Sequence, residues 1–300
     1  MVIYTADEKG GAFGLADRLR GAVSVYKICK ELNLDFKINF TSPFKLNNYL
    51  IPNIYDWEIS HNEICFNKKY SKPCRINTYS ALHHRYSFKD CEFWMRKFFK
   101  ENCRQIHIYS NIDISGKEFP VLFNELFKMH PNVAEQVNRH INYLGKNYIS
   151  AAFRFLQLLG DFKEPCGGAP PLADGEKNKL INRCIKHLKE IREENESCAF
   201  FITSDSKSFL AKAAELPFVH VIDGEIIHID SRSEVSGEAV LKVFLDFFVL
   251  FYSKKVYLVI DGGMYNSAFS RSAALANNVQ FVVKNYNEAE NQNPLSNSPK

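Results

Sequence analysis

Tyr148-Ile-Ser-Ala-Ala-Phe-Arg154-Phe-Leu-Gln-Leu-Leu-Gly-Asp161 sets an arginine inside an apolar, strand-like run near the middle of a 300-residue chain. Arginine keeps its charge, and an uncompensated guanidinium in such surroundings costs roughly several kcal/mol. The run therefore requires a fixed protein carboxylate or a bound anion beside Arg154. Alternation with Phe153 and Phe155 turns Arg154 to the opposite face near the strand's carboxyl end, where its planar fork suits bidentate contact with oxygens. An ion pair to Asp161 is the competing explanation.

Working outward, the residues after Tyr148 alternate regularly. The pattern predicts strands over 148–156, 198–203, 217–222, 256–260 and 280–284, and helices over 176–194, 206–215, 237–252 and 267–278. Alternation of this kind makes a parallel α/β sheet. Upstream, Met1-Val-Ile-Tyr-Thr5 predicts a strand, Gly10-Gly11-Ala-Phe13-Gly14 a glycine-rich loop, 15–32 a helix and 34–40 a second strand. Residues 41–87, rich in Asn, Tyr and Pro, give no ordered pattern; 88–100, 119–128 and 131–144 read as helices and 105–109 as a strand. The expected architecture is α/β, with two halves, 1–145 and 146–284, facing a cleft lined by the carboxyl ends of strands, where such sheets bind ligands, and a polar tail over 285–300. The Pro- and Gly-rich stretch 164–176 reads as a lid.

Composition narrows the classes. At 46% hydrophobic and 24% charged, the chain can bury a full core in two domains. A net charge of +4 is too mild and too dispersed for a nucleic-acid stripe, but leaves phosphate-bearing small molecules as partners. The eight cysteines show neither a CxxC pair nor zinc spacing and read as reduced thiols. The first residues lack a basic stretch followed by an apolar core, and the most apolar helix, 237–253, is too short to span a bilayer and carries Lys242 and Asp246. These features point to a cytoplasmic location without a transmembrane segment; peripheral association with the inner face of the membrane through basic residues stays open. His83-His84-Arg85, Trp57 and Trp94 fit no ligand spacing, and HExxH, Walker and GxSxG motifs are absent from the sequence, so no metal is expected.

Three strand-end loops carry the candidate chemistry. The glycine loop can turn backbone amides and a helix N-terminus toward a phosphate, or simply make a tight turn; Arg18 and Arg20 lie in the following helix, either solvated or reaching a ligand. Thr203-Ser-Asp205-Ser206 ends a strand, where Asp205 or Ser206 also suits an N-cap. Asp223 ends the next strand and can recognise a guanine or ribose, or form a turn. Gly262-Gly-Met-Tyr-Asn-Ser267-Ala268-Phe269-Ser270-Arg271 opens the last helix with small hydroxyl residues, a second anion site or a cap.

At these residues the chain resembles the fucosyltransferase superfamily: the α-1,2-, α-1,6- and protein O-fucosyltransferases with bacterial nodulation and surface-glycan enzymes. Gly11-Ala-Phe-Gly-Leu-Ala-Asp-Arg-Leu-Arg-Gly21 resembles its first glycine loop and Ala152-Phe153-Arg154 its H-x-R motif. Thr203-Ser-Asp205 resembles its T-D or S-D motif, and Ser267-Ala-Phe-Ser270 its S-x-F-S motif. Residues 41–145 stay unmatched, Ala152 replaces the family histidine, and Leu15 replaces the asparagine of the glycine loop. The resemblance implies a GT-B-like fold of two Rossmann-like domains, 1–145 on the acceptor side and 146–284 binding the GDP-sugar, and a bacterial, inverting, metal-independent transferase that moves fucose from GDP-fucose to a glycan hydroxyl, with no cofactor. It assigns Arg154 to the leaving β-phosphate and Gly11, Phe13, Gly14, Arg18, Asp205, Asp223, Ser267, Ala268, Phe269 and Ser270 to the donor. Glu8 is the expected base, with Asp7 and Asp161 as competitors. A transferase using another nucleotide sugar and a non-catalytic nucleotide- or glycan-binding protein are the alternatives.

Overall fold

The computed structural model describes residues 1–8, 13–78, 87–161, 169–229 and 235–287. The chain forms two units: one comprises Met1–Ala134 and His228–Val240, the other Glu135–Ile227 and the residues from Leu241 on.

In the first unit, β1 (Val2–Ala6), α1 (Leu15–Glu31), β2 (Phe36–Phe40), β3 (Leu50–Pro52), β4 (Ser71–Arg75), α2 (Phe88–Phe98), β5 (Gln105–Tyr109), α3 (Phe119–Leu126) and β6 (Phe127–Met129) follow in order, and α4 (Pro131–Leu144) begins at its end. β2, β1, β5 and β4 lie side by side in that order, all parallel, while β3 and β6 make a short antiparallel ladder. Every residue of β1 and β5 is buried, as expected for central strands of a parallel sheet covered on both faces. α1 approaches the exit of β5 closely at Gly21, where a Cβ would lie 2.0 Å from the Ser110 carbonyl oxygen. The helix expected over 119–128 stops at Leu126, because the next three residues pair with Leu50–Pro52.

The second unit carries β7 (Tyr148–Phe153), α5 (Asp174–Glu193), β8 (Ala199–Ser204), α6 (Lys207–Ala214), β9 (Val219–His220), α7 (Gly237–Phe251) from Leu241 on, β10 (Lys255–Ile260), α8 (Ala268–Ala276) and β11 (Gln280–Asn285). The sheet order is β11-β10-β7-β8-β9, again all parallel. Its core is built on aromatic contacts: the Phe209 ring lies 4.5 Å from that of Phe153 and 5.1 Å from that of Phe155. The two charges inside apolar α7 neutralise one another, with Lys242 Nζ 2.6 Å from Asp246 Oδ2 and the Thr203 hydroxyl donating to the same oxygen at 2.7 Å.

The alternating half follows the expected order, with two shortened strands. β9 keeps only Val219–His220 of the six residues expected, at the sheet's edge. β7 ends at Phe153, so Arg154 lies just past the strand and not within it; Leu156 then turns with φ of 55°. The lid expected over 164–176 lies partly outside the described residues, and its described end, from Asp174, is already α5. Most of the expected polar tail is likewise outside them. No described helix is long and apolar enough to cross a membrane.

Candidate functional site

Register brings the strand ends of the second unit level. Phe153 pairs with Ser204 on one side and Val259 on the other, so Arg154, Asp205 and the loop after Ile260 leave adjacent parallel strands at the same edge, the carboxyl edge where such sheets place ligands. The contacts follow from that alignment. Arg154 Nη1 donates to Asp205 Oδ2 at 2.9 Å, and the Asp205 carboxylate also accepts the amides of Phe155 (2.8 Å) and Leu156 (2.7 Å). The Tyr265 amide donates to the Arg154 carbonyl at 2.8 Å. One residue thus joins three strand-end loops, its side chain 16% exposed and so within reach of solvent or a ligand.

The fixed partner of Arg154 is therefore Asp205, not Asp161. Burial pushes the Asp205 carboxyl above the ordinary aspartate range, against the lowering effects of the Arg154 charge and the amides. Asp161 instead accepts the hydroxyls of Ser206 and Ser208 and the Ser208 amide at the start of α6. Burial opposes its charge, but those bonds hold its carboxyl below the usual range. Ser206 is the side-chain cap of α6, accepting from the Phe209 amide at 3.1 Å. Ser267 caps α8 through the Phe269 amide at 3.3 Å. Ala268 and Phe269 are half-buried, and Ser270 is fully buried with its hydroxyl unpartnered among the described residues. Asp223 lies exposed three residues beyond β9.

A network not singled out in the sequence supports the β10–α8 loop. Asp261, which follows β10, accepts from Arg183 Nε and Nη2 at 2.9–3.1 Å and lies 2.7 Å from His187 Nε2. The His187 ring stacks on Tyr286 at 3.4 Å between centroids. Burial resists the Asp261 charge, yet the bonds from Arg183 and His187 keep its carboxyl below the ordinary range. Arg183 and His187 are four apart on α5, which puts both on one helix face; that spacing is the signal the sequence offered.

In the first unit a cavity at the carboxyl ends of β1 and β5 is lined by Tyr4, Asp7, Phe13, Arg18 and Tyr109 among others. Tyr109 donates its hydroxyl to Asp7 at 3.0 Å, and burial, with Asp7, pushes the phenol up to about 12. Arg18 is not solvated: it is 6% exposed, donates Nε to the Phe13 carbonyl at 2.8 Å and Nη1 to the Ser42 carbonyl, and sits over the Phe40 ring at 5.1 Å. It clamps the end of the glycine loop to the exit of β2. Arg20 pairs with Asp17. Gly14 has an ordinary extended φ of −63°, so glycine dihedrals are not what this position needs. Glu8 is exposed; Gly11 and His83-His84-Arg85 lie outside the described residues. Among those described, no group of three His, Cys, Asp or Glu side chains is placed to hold a metal ion.

No family model and no curated protein sequence matches the chain. Solved structures do. An α-1,6-fucosyltransferase NodZ soaked with GDP-fucose is similar at a TM-score of 0.57 and 11% identity, over 92% of this chain and 91% of that one, and NodZ from Bradyrhizobium gives the same score at 12% identity, over 91% of each chain. FUT1 of Arabidopsis thaliana, a mutant in complex with GDP, is similar at 0.56 and 10% identity, over 94% of this chain and 69% of that one. POFUT1 in complex with GDP follows at 0.55 and 12% identity, over 94% and 98%. The fold is thus the GT-B α/β fold that these fucosyltransferase structures share.

Proposed function

We propose that the protein is an inverting, metal-independent glycosyltransferase that moves fucose from GDP-fucose to a hydroxyl of a glycan, such as a bacterial surface polysaccharide or glycolipid, at the cytoplasmic face. The observation that carries the reading is the convergence of Arg154, Asp205 and the Tyr265–Ser270 segment at one sheet edge within a fold shared with fucosyltransferases. Departure of the sugar builds negative charge on the β-phosphate of GDP. Arg154, oriented by Asp205, offers a fixed cation for that charge, and the N-terminus of α8, with the buried Ser270 hydroxyl, offers further donors. Fixed groups of this kind lower the barrier because they need no reorganisation as charge develops.

Asp205 acts in this reading as a positioning residue rather than as a donor contact, since its oxygens already accept three bonds. Asp223 is exposed and suits guanine or ribose recognition. For the base that takes the acceptor proton, Asp7 has better support than Glu8: it lines the first-unit cavity and is held by Tyr109, while Glu8 is exposed. A ligand bound only to the native state raises the thermal midpoint by mass action. The test is that midpoint with GDP, GDP-fucose, GDP-mannose and UDP-glucose in EDTA. Stabilisation by GDP and GDP-fucose is expected; a response to UDP-glucose alone would reassign the donor, and no response to any nucleotide would overturn the reading.

A further inference from the structure

The outer face of α2 carries exposed aromatic rings beside lysines. Cys91, Met95 and Phe99 are buried beneath it, while Phe93 is 59% and Trp94 39% exposed, their rings edge to face at 5.4 Å. Lys89, Phe93 and Lys97 follow at i, i+4 and i+8, one stripe on that outer face, and Lys100 lies in the turn just past the helix; all four are exposed. The Lys97 ammonium lies over the Trp94 ring at 5.0 Å. Trp94 is next to the stripe, so aromatic bodies and lysine heads share one surface.

The same chemistry recurs nearby. The exposed turn before β4 carries Phe66, Lys68, Lys69 and Tyr70, with Lys69 over the Tyr70 ring at 5.5 Å. It is tied to the chain leaving α2, because the Tyr70 carbonyl accepts the amides of Arg104 (2.9 Å) and Gln105 (3.1 Å). The acidic residues of α2 are engaged locally: Asp90 accepts from the Ser87 amide and hydroxyl, and Glu92 from Arg96.

We infer that this face, Phe93 and Trp94 ringed by Lys89, Lys97 and Lys100, docks the protein on an anionic membrane surface. A helix whose apolar residues sit among lysines lies in the interfacial plane, rings at the headgroup boundary and ammonium groups on lipid phosphates. Charge complementarity selects the partner: the stripe presents cations beside exposed rings, and a fluid anionic interface receives both without a shaped pocket. The inference goes beyond sugar transfer and does not depend on it.

The chain has two tryptophans, and Trp57 is 1% exposed with its indole N–H on the Leu126 carbonyl at 2.7 Å; changes in emission therefore report Trp94. The full chain is sedimented with vesicles of phosphatidylcholine alone or with about one third phosphatidylglycerol, at low and high salt, while tryptophan emission is followed. Binding to the anionic vesicles at low salt, with a blue shift of Trp94, is expected. Lys97→Gln with Lys100→Gln is expected to weaken it roughly twenty-five-fold, at about fivefold per lysine, and Phe93→Ser by about tenfold. These side chains are exposed, so unchanged circular dichroism and thermal midpoint verify the fold of each variant. Failure to bind anionic vesicles, binding with unshifted Trp94 emission, or full binding by the variants would overturn the inference. So would a Trp94 response to oligouridylate in place of vesicles, which would assign the face to single-stranded nucleic acid.

Discussion

Replacing Asp205 with alanine is the sharpest perturbation of the second unit. The side chain is 5% exposed and accepts three bonds, from Arg154 Nη1 and the amides of Phe155 and Leu156. Burial opposes its charge, so the relevant quantity is the loss of a partner and not the bare attraction between the two charges. Breaking a buried pair from one side costs about 3–5 kcal/mol, and each buried amide left unsatisfied costs about 1–3 kcal/mol. Water entering the vacated space recovers part of that, leaving an expected loss of about 4 kcal/mol. For a unit of this size the thermal midpoint falls by about 3 °C per kcal/mol, hence by about 12 °C. Calorimetry of wild type, Asp205→Ala, Arg154→Met and the double variant checks it. The double variant is expected to be more stable than Asp205→Ala, because it removes the stranded cation. A midpoint within about 3 °C of wild type for Asp205→Ala, or a double variant that simply adds the two losses, would refute the reasoning.

Three further outcomes are expected. His140 Nδ1 lies 2.9 Å from His220 Nε2, and burial, the largest influence on each, lowers both from the ordinary 6.5 despite the nearby Asp223 and, for His140, Asp246. Their folded values lie below their unfolded ones, so the stability they contribute is complete above about pH 6.5 and drains as pH falls through that value toward the folded ones. Thermal midpoints from pH 8 to 5 should show the loss, and His140→Phe should flatten it. Gly21→Ala drives a Cβ to 2.0 Å from the Ser110 oxygen and should destabilise by at least about 2 kcal/mol, whereas Gly175→Ala, with nothing within 4 Å, should gain up to about 1 kcal/mol in urea unfolding. Arg183→Ala frees one partner of Asp261 and should weaken GDP binding about tenfold through the β10–α8 loop, while raising the loop's protease sensitivity; unchanged affinity would leave that network a purely structural role.

Much of the second unit was legible because each parallel strand is a short apolar run bounded by polar turns, and the loops that matter sit at strand ends. Arg154 was conspicuous for its charge in an apolar run. Its partner was not, since Asp205 lies 51 residues away and the pairing depends on the register of β7 with β8. Arg18 read as either solvated or reaching a ligand; its burial against Phe40 and the Ser42 carbonyl depends on the exit of β2, which no local pattern announces. β3 and β6, three residues each, are too short to leave a periodic signal. The Asp261 network joins residues 74 and 78 apart. What stayed illegible was long-range pairing between positions that look ordinary one at a time.

The central claim, that Arg154 is the fixed cation for the departing nucleotide, is tested most directly by measuring GDP release from GDP-fucose by wild type and Arg154→Ala in EDTA, with circular dichroism to verify the fold. The account predicts release by the wild type and a fall of about a hundredfold or more in the variant, the scale of losing one preorganised charge partner. Release by the folded variant at the wild-type rate would contradict it.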